Sequence, residues 1–258
     1  MRQRDDLPIF EDDLDEPGII EAHLLHEPQP FAPVAVLCFF NDLLMNLVER
    51  GVLTMRYTLR SEIGSNHLYE VELDGRPVCV LHPGVGSPLA VGFVEEAAAL
   101  GITTFVACGG AGALDRRYDL GHVMVVESAV RDEGTSAHYA QPSRVISAQP
   151  LGVDVAHRVL DEMGVEHFTG RAWTTDAMFR ETRSRVRRRI DEGCHMVEME
   201  ASALMALYRH LRLAHVLYAG DMVAGDEWDN RHWDRAQSVR ESLFWAATRI
   251  AVALHDAT

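Results

Sequence analysis

At 258 residues the chain can bury a full core, and it fits one large α/β domain better than two small ones. A formal net charge of −15 argues against a polyanion as its main partner, because nucleic-acid binders carry a basic face. Four cysteines (Cys38, Cys79, Cys108, Cys194) with no C-x-x-C pair, and thirteen histidines with neither H-E-x-x-H nor a tight cluster, give a metal site no support. The cysteines read as buried small hydrophobes in a reducing compartment.

Residues 1–33 are acidic and punctuated by Pro8, Pro17, Pro28, Pro30 and Pro33, which predicts an arm laid over the domain or over a neighbour. Met1 to Glu16 lacks the apolar core of a signal peptide, and no stretch reaches the length of a membrane span, so a cytoplasmic protein is expected. Val34 to Cys38 reads as a first buried strand, followed by a helix from Asn41 to Arg50 with Leu43, Leu44, Leu47 and Val48 at helical spacing. His67 to Leu73 and Pro77 to Leu81, joined by Asp74, Gly75 and Arg76, predict a hairpin. His82 to Pro88 breaks the strand and opens a helix from Leu89 to Leu100 with Ser87 as its N-cap. Glycine there offers backbone to a ligand or only steric relief.

Ile102 to Cys108 predicts another buried strand running into a glycine-rich turn from Gly109 to Ala113. His122 to Val130 is a further strand, and Arg131 to Tyr139 a polar loop rich in functional side chains. A helix over Val153 to Met163, a strand over Glu166 to Trp173 and a loop from Thr174 to Thr182 lead into a basic helix. That helix carries Arg183, Arg185, Arg187, Arg188 and Arg189 and is expected to be solvated or to face a subunit. Leu213 to Ala219 predicts the last long strand, before Gly220, Asp221 and a loop with Asp226, Glu227, Trp228 and Asp229. A C-terminal helix is expected from Arg235 to Leu254. Strands alternating with helices make a single α/β domain, residues 34–258, behind the arm.

The segment that organises the function is Val197 to Ala203, where the strand from Cys194 ends in Glu198, Met199 and Glu200 and a helix from Ala201 to Leu211 begins. A carboxylate at a strand-to-helix junction faces the ligand crevice of an open α/β sheet and can accept hydrogen bonds from sugar hydroxyls. It can also simply cap the helix. If the strands ending at Cys108, Glu198 and Ala219 are parallel, the glycines, the two glutamates and Asp221 share one edge of the sheet. That set suits a nucleoside better than a peptide or lipid.

These motifs resemble those of the nucleoside phosphorylase superfamily, which includes uridine phosphorylase, hexameric purine nucleoside phosphorylase and methylthioadenosine nucleosidase. The resemblance runs from Val34 to the C-terminus. It rests on Val197 to Ala203, Gly84 to Pro88, Val94 to Ala97 with Leu100 and Gly101, Gly109 to Leu114, and Leu120 to Val123. Arg131 to Ser136 and Trp173 to Ala177 with Arg180 to Thr182 place it in a less studied branch.

The resemblance implies a three-layer α/β/α fold with a central mixed sheet, and cleavage of the bond between ribose and base. It implies that Glu200 holds the ribose hydroxyls, Met199 packs under the sugar, and Glu198 lies beside ribose or base. Gly86, Gly109 and Gly110 would offer backbone, Phe179 or Met178 would stack on the base, and Asp221 would protonate a purine-like leaving group. Trp173 is a second stacking candidate, with a core position the better reading. No cofactor is implied beyond phosphate as a possible co-substrate. The expected partners are a nucleoside and further copies of the chain, as a dimer or trimer of dimers, with no nucleic acid and no membrane.

The pattern departs from the family at the phosphate site. The family's Gly-Asp-Pro-x-x-Arg turn reads Cys38, Phe39, Phe40, Asn41, Asp42, Leu43. The arginine expected before the second glycine run is missing from Val106, Ala107 and Cys108, and Gly110 replaces a threonine. Either water replaces phosphate, with Asn41 or Asp42 near it, or Arg131, Arg180 or an arm from another subunit supplies the charge. A nucleoside-binding protein without turnover is the reading from another class.

Overall fold

The structure is a computed structural model that describes residues 7–11, 13–207, 211–225 and 227–257. The first six residues of the acidic arm and Asp226 of the last loop lie outside the described residues. Within the arm, a short helix α1 (Ala22–Leu25) lies against α3 (Ser87–Ala99). His26 bonds Glu96 at 2.8 Å, and the Gln29 N–H donates to the Leu100 carbonyl at 2.9 Å. The described part of the arm therefore packs on its own domain.

β1 (Val34–Cys38) is buried along its whole length, as an all-apolar central parallel strand requires. α2 (Asn41–Glu49) follows, then β2 (Thr54–Ser61), β3 (Gly64–Leu73) and β4 (Arg76–Leu81) form an antiparallel meander. Asp74 and Gly75 turn the expected hairpin with φ of 51° and 80°, the left-handed pair that a two-residue loop demands. β5 (Thr104–Ala113) and β6 (Val123–Asp132) come next, then β7 (Val145–Ser147), α4 (Pro150–Glu162), β8 (His167–Thr175) and α5 (Arg183–Asp191). β9 (Cys194–Glu198), α6 (Ala201–Leu207), β10 (Arg212–Met222) and α7 (Gln237–Asp256) complete the chain.

The strands join in one ten-stranded sheet. β2, β3, β4, β1 and β5 form its open wing, while β5, β9, β8, β6 and β10 pair in sequence and close on themselves because β10 also pairs with β5. One face carries a core built with α2, α4 and α7, through Leu44, Val155, Phe244 and Ile250. The other carries a core built with α3 and α6, through Phe93, Val94, Ala203 and Leu204. This is the three-layer α/β/α fold with a mixed sheet. No described helix is long and apolar enough to cross a membrane. All four cysteines are buried and free.

Several expectations are corrected. Gly109 to Gly112 do not turn the chain: β5 runs straight through them to Ala113, paired to β10 along its length. Their smallness serves close approach, since a Cβ on Gly110 would lie 3.1 Å from the Tyr218 ring, and one on Gly112 would lie 2.6 Å from Val223. The three strands are not all parallel either, because β9 runs antiparallel to β5 with Gly112 opposite Val197. That reversal brings the glutamate end of β9 back toward the middle of β5, so the glycines and glutamates still meet. Ser87 is the first residue of α3 and not its cap. Its Oγ donates instead to the Met199 carbonyl at 2.7 Å. The described α6 ends at Leu207, and Leu211 already lies in the bend before β10.

Candidate active site

One cavity of about 1040 Å³ opens where β5, β9 and β10 converge. Its wall includes Gly109, Gly110, Glu198, Met199, Glu200 and Asp221, so the sequence motifs do come together.

The two glutamates divide their work. Glu198 is 6% exposed, and its carboxylate accepts the Thr174 hydroxyl at 2.5 Å and the backbone N–H groups of Glu200 and Ala201 at 2.7 and 2.6 Å. Capping α6 therefore belongs to Glu198, which gives three of its acceptor positions to the protein while it lines the cavity. Glu200, also 6% exposed, reaches across to accept the Gly86 N–H at 2.5 Å. Gly86 needs its φ of 96° to present that N–H, and it stands behind Val85, which lines the cavity in its place. A carboxylate has about four lone-pair sites, so one such bond leaves Glu200 acceptor capacity for a ligand. Burial pushes both acids above the usual carboxylate range. The charge of Glu133 adds to it at Glu198, and that of Glu198 adds to it at Glu200.

The polar loop after β6 braces this junction. Glu133 accepts the Ser202 hydroxyl at 2.8 Å and the Ser136 N–H at 2.9 Å. Asp132 accepts the Trp173 indole N–H at 3.0 Å and faces Arg189, whose guanidinium lies over the Trp173 ring. Trp173 is fully buried, so it is core and not a stacking platform.

Asp221, on β10, also lines the cavity, with its Oδ2 taken by the Trp228 indole N–H at 2.6 Å. The chain folds back there because Met222 pairs with Asp229. Beside Asp221 the cavity gains a second acid that the sequence reading missed. Glu181 follows the turn Met178–Arg180, and burial first, then the charge of Asp221, pushes its carboxyl up to about 7. Met178 and Phe179 line the same wall, 46% and 95% exposed.

The proposed anion-site residues lie elsewhere. Arg131 is spent on its own loop, donating to the Ser136 and Ser143 hydroxyls and to the carbonyls of Ala140 and Gln141. Arg180 and Asn41 are exposed and outside the cavity wall. Asp42 turns to α7, where Arg240 and Gln237 hold it at 2.7 and 2.6 Å. The cations that do line the cavity are Arg116, Arg183, Arg187 and Arg240. Two of these belong to the basic helix, which borders the site and is not simply solvated. Arg240 is buried and also donates to the Tyr218 hydroxyl at 3.2 Å, against the very glycine, Gly110, that makes room for that ring. Phe39 and Phe40 form the wall where the family's first phosphate turn would stand. Among the described residues no group of three or more His, Cys, Asp or Glu is placed to hold a metal ion.

The phosphorylase superfamily model matches residues 33–256. The chain belongs to the phosphorylase superfamily. Among its relatives, the guanosine phosphorylase of Halorubrum lacusprofundi is 28% identical over 171 residues, covering 64% of this chain and 71% of that protein. The uridine phosphorylase of Escherichia coli is 43% identical over 72 residues, only 28% of each chain. Of solved structures, the uridine phosphorylase of Vibrio fischeri superposes with a TM-score of 0.71 at 23% identity, covering 90% of this chain and 98% of that one. The purine nucleoside phosphorylase of Toxoplasma gondii, in complex with immucillin-H, gives 0.75 at 18% identity over the same shares. At these identities the two structures establish the fold of this superfamily member.

Proposed function

We propose that the chain cleaves the N-glycosidic bond of a nucleoside with a purine-like base. The nucleophile decides the second product: phosphate gives ribose 1-phosphate and water gives ribose. The observation that carries the reading is the placement of buried Glu200 and the Glu181–Asp221 pair in the wall of one cavity.

As the bond to the base breaks, positive charge develops at C1′ of the sugar. A carboxylate fixed at the ribose, drawn to its charged form by the sugar hydroxyls that donate to it, stabilises that charge without reorganisation. Glu200 is held for this by Gly86, and Met199 lies in the wall beside it as the surface under the sugar. Electrons move into the base, where a nitrogen must take a proton. A carboxyl pushed up to about 7 is a proton donor matched to neutral pH, and Glu181 has that property. Asp221, the acid expected from the sequence, supplies the charge that keeps the proton on Glu181. Phe179 and Met178 are the surface for the base. Phe179, 95% exposed, favours a homo-oligomer in which a second copy covers this side.

The relative named guanosine phosphorylase supports a purine, and the relatives named uridine phosphorylase make uridine the necessary control. Water as nucleophile is favoured by one specific observation: Phe39, Phe40, Ala107 and Gly110 stand where the family's phosphate-binding turns are expected. The deciding experiment is a nucleoside panel with and without phosphate, following free base and sugar. Base release from guanosine or inosine ahead of uridine is expected. Binding of nucleosides without release would leave a non-catalytic binder and overturn the enzyme reading.

A further inference from the structure

His215 sits in the middle of β10, and its register partner on β5 is Ala107. Ala107 belongs to the segment Val106 to Cys108, where the arginine before the second glycine run is missing. Neighbours in register on parallel strands project to the same side of a sheet, so the imidazole occupies the room that the short Ala107 side chain leaves. His215 forms part of the cavity wall, is 2% exposed, and has no hydrogen-bond partner at either ring nitrogen. Burial alone pushes it down to about 3, so the ring is neutral, with one N–H to donate and one lone pair to accept.

A buried polar group left without partners costs free energy, and an apolar residue would fill this position without that cost. The strand neighbours on the same side, Leu213 and Leu217, are such residues. The unmet pair of nitrogens therefore marks a place for an occupant that gives and takes a hydrogen bond.

The surroundings choose between the two nucleophiles. Along the register from His215 the wall continues as Gly109, Gly110 and Leu217, with Phe39 against Gly109, all without charge. Arg240, the buried cation of this wall, is engaged by Asp42 and Tyr218. A phosphate dianion beside His215 would lose its hydration against these uncharged groups, since Arg116, Arg183 and Arg187 enter the wall from other elements, the loop after β5 and α5, whereas a water molecule asks only for hydrogen bonds. We propose that His215 binds and activates the attacking water, so that this site hydrolyses its nucleoside to ribose and free base.

In this step the water oxygen bonds to C1′ as the C1′–N bond breaks, and the bond's electron pair leaves with the base. The base nitrogen takes the proton of Glu181, and the water proton passes to His215. Exchange with solvent then restores both groups. The weak basicity of a buried imidazole suffices, because the oxygen becomes strongly acidic once it bonds to the electron-poor C1′. The inference rests on the glycosidic cleavage proposed above and adds the nucleophile to it.

The test uses the full-length protein in phosphate-free buffer with a nucleoside it cleaves. Wild type should release base and reducing ribose without phosphate, with no stimulation when phosphate is added. His215→Phe and His215→Asn should lower kcat about 100-fold or more while nucleoside affinity, measured by calorimetry, stays within about threefold. His215→Asn, which keeps a polar group, decides the matter if the phenylalanine variant does not fold. Free imidazole should restore part of the rate to His215→Ala. Wild-type kcat in a folded His215 variant would overturn the role of the histidine. Strict dependence on phosphate with ribose 1-phosphate as product would overturn hydrolysis yet leave glycosidic cleavage standing. No base release under either condition, from any nucleoside of the panel, would overturn both.

Discussion

Glu200→Ala lowers kcat/KM for ribonucleosides by about 1,000-fold and abolishes the preference for ribose over 2′-deoxyribose. The size follows from what the residue is asked to do. In the proposed reaction one buried carboxylate, held by Gly86, is to accept the sugar hydroxyls and face the charge that grows at C1′. Removing it takes away a charge-assisted hydrogen bond and an electrostatic partner of the transition state together. Initial rates on matched ribo- and deoxyribonucleosides measure this. A variant that still discriminates between them by the wild-type factor would show that another group reads the sugar. Stability should move the other way in the isosteric variant. Burial and the charge of Glu198 raise the folded-state proton affinity of Glu200, so its contribution is complete below the unfolded carboxylate value and is lost as pH rises through the raised one. Glu200→Gln should therefore match wild type at pH 4 and melt roughly 2–6 °C higher at pH 8. A lower melting temperature at pH 8 would mean that the hydrogen bonds of the charged form outweigh its desolvation.

What could be read from the sequence was local. β1 announces itself because a central parallel strand must be apolar on both faces, and Asp74 with Gly75 because only such residues take two successive positive φ angles. The glycine run from 109 to 112 reads as a turn because glycine's backbone freedom is visible in a sequence and the space around it is not. Its actual purpose, room for Tyr218 and Val223, depends on residues more than 100 positions away. The direction of β9 was unreadable for the same reason, since pairing direction is set by tertiary packing and not by side-chain pattern. β2 escaped because it is largely exposed and lacks an apolar stripe. In the site, the resemblance already separates Glu200 from Glu198, but the capping of α6 by Glu198 depends on the Thr174 hydroxyl and the turn N–H groups that only the fold brings to it. Arg240 and His215 carried no motif at all: one sits in an amphipathic helix and the other in an apolar strand. For Glu181 there was a signal, an acid directly after the proposed stacking residues.

Glu181→Gln should lower kcat for purine nucleosides by about 100- to 1,000-fold and erase the alkaline limb of the pH profile. The sign follows from the role. A proton donor works only while protonated, and burial together with the charge of Asp221 holds Glu181 up to about 7. Wild-type kcat/KM should thus fall as pH rises through about 7, a limb set by Glu181 and separate from the acid-side limb that the ionisation of Glu200 sets. Asp221→Asn removes the second cause of the shift and should move this limb toward lower pH, an effect that the loss of a hydrogen bond to Trp228 alone would not produce. A nucleoside whose base is already alkylated and cationic needs no proton to depart, so Glu181→Gln should cleave it at close to the wild-type rate. If Glu181→Gln keeps the wild-type limb while Asp221→Asn loses the rate, Asp221 is itself the donor and Glu181 only its neighbour. If instead the cationic substrate is slowed as much as the neutral one, neither acid serves the leaving group. The pair would then act on the sugar's charge, as a second set of acids beside Glu200.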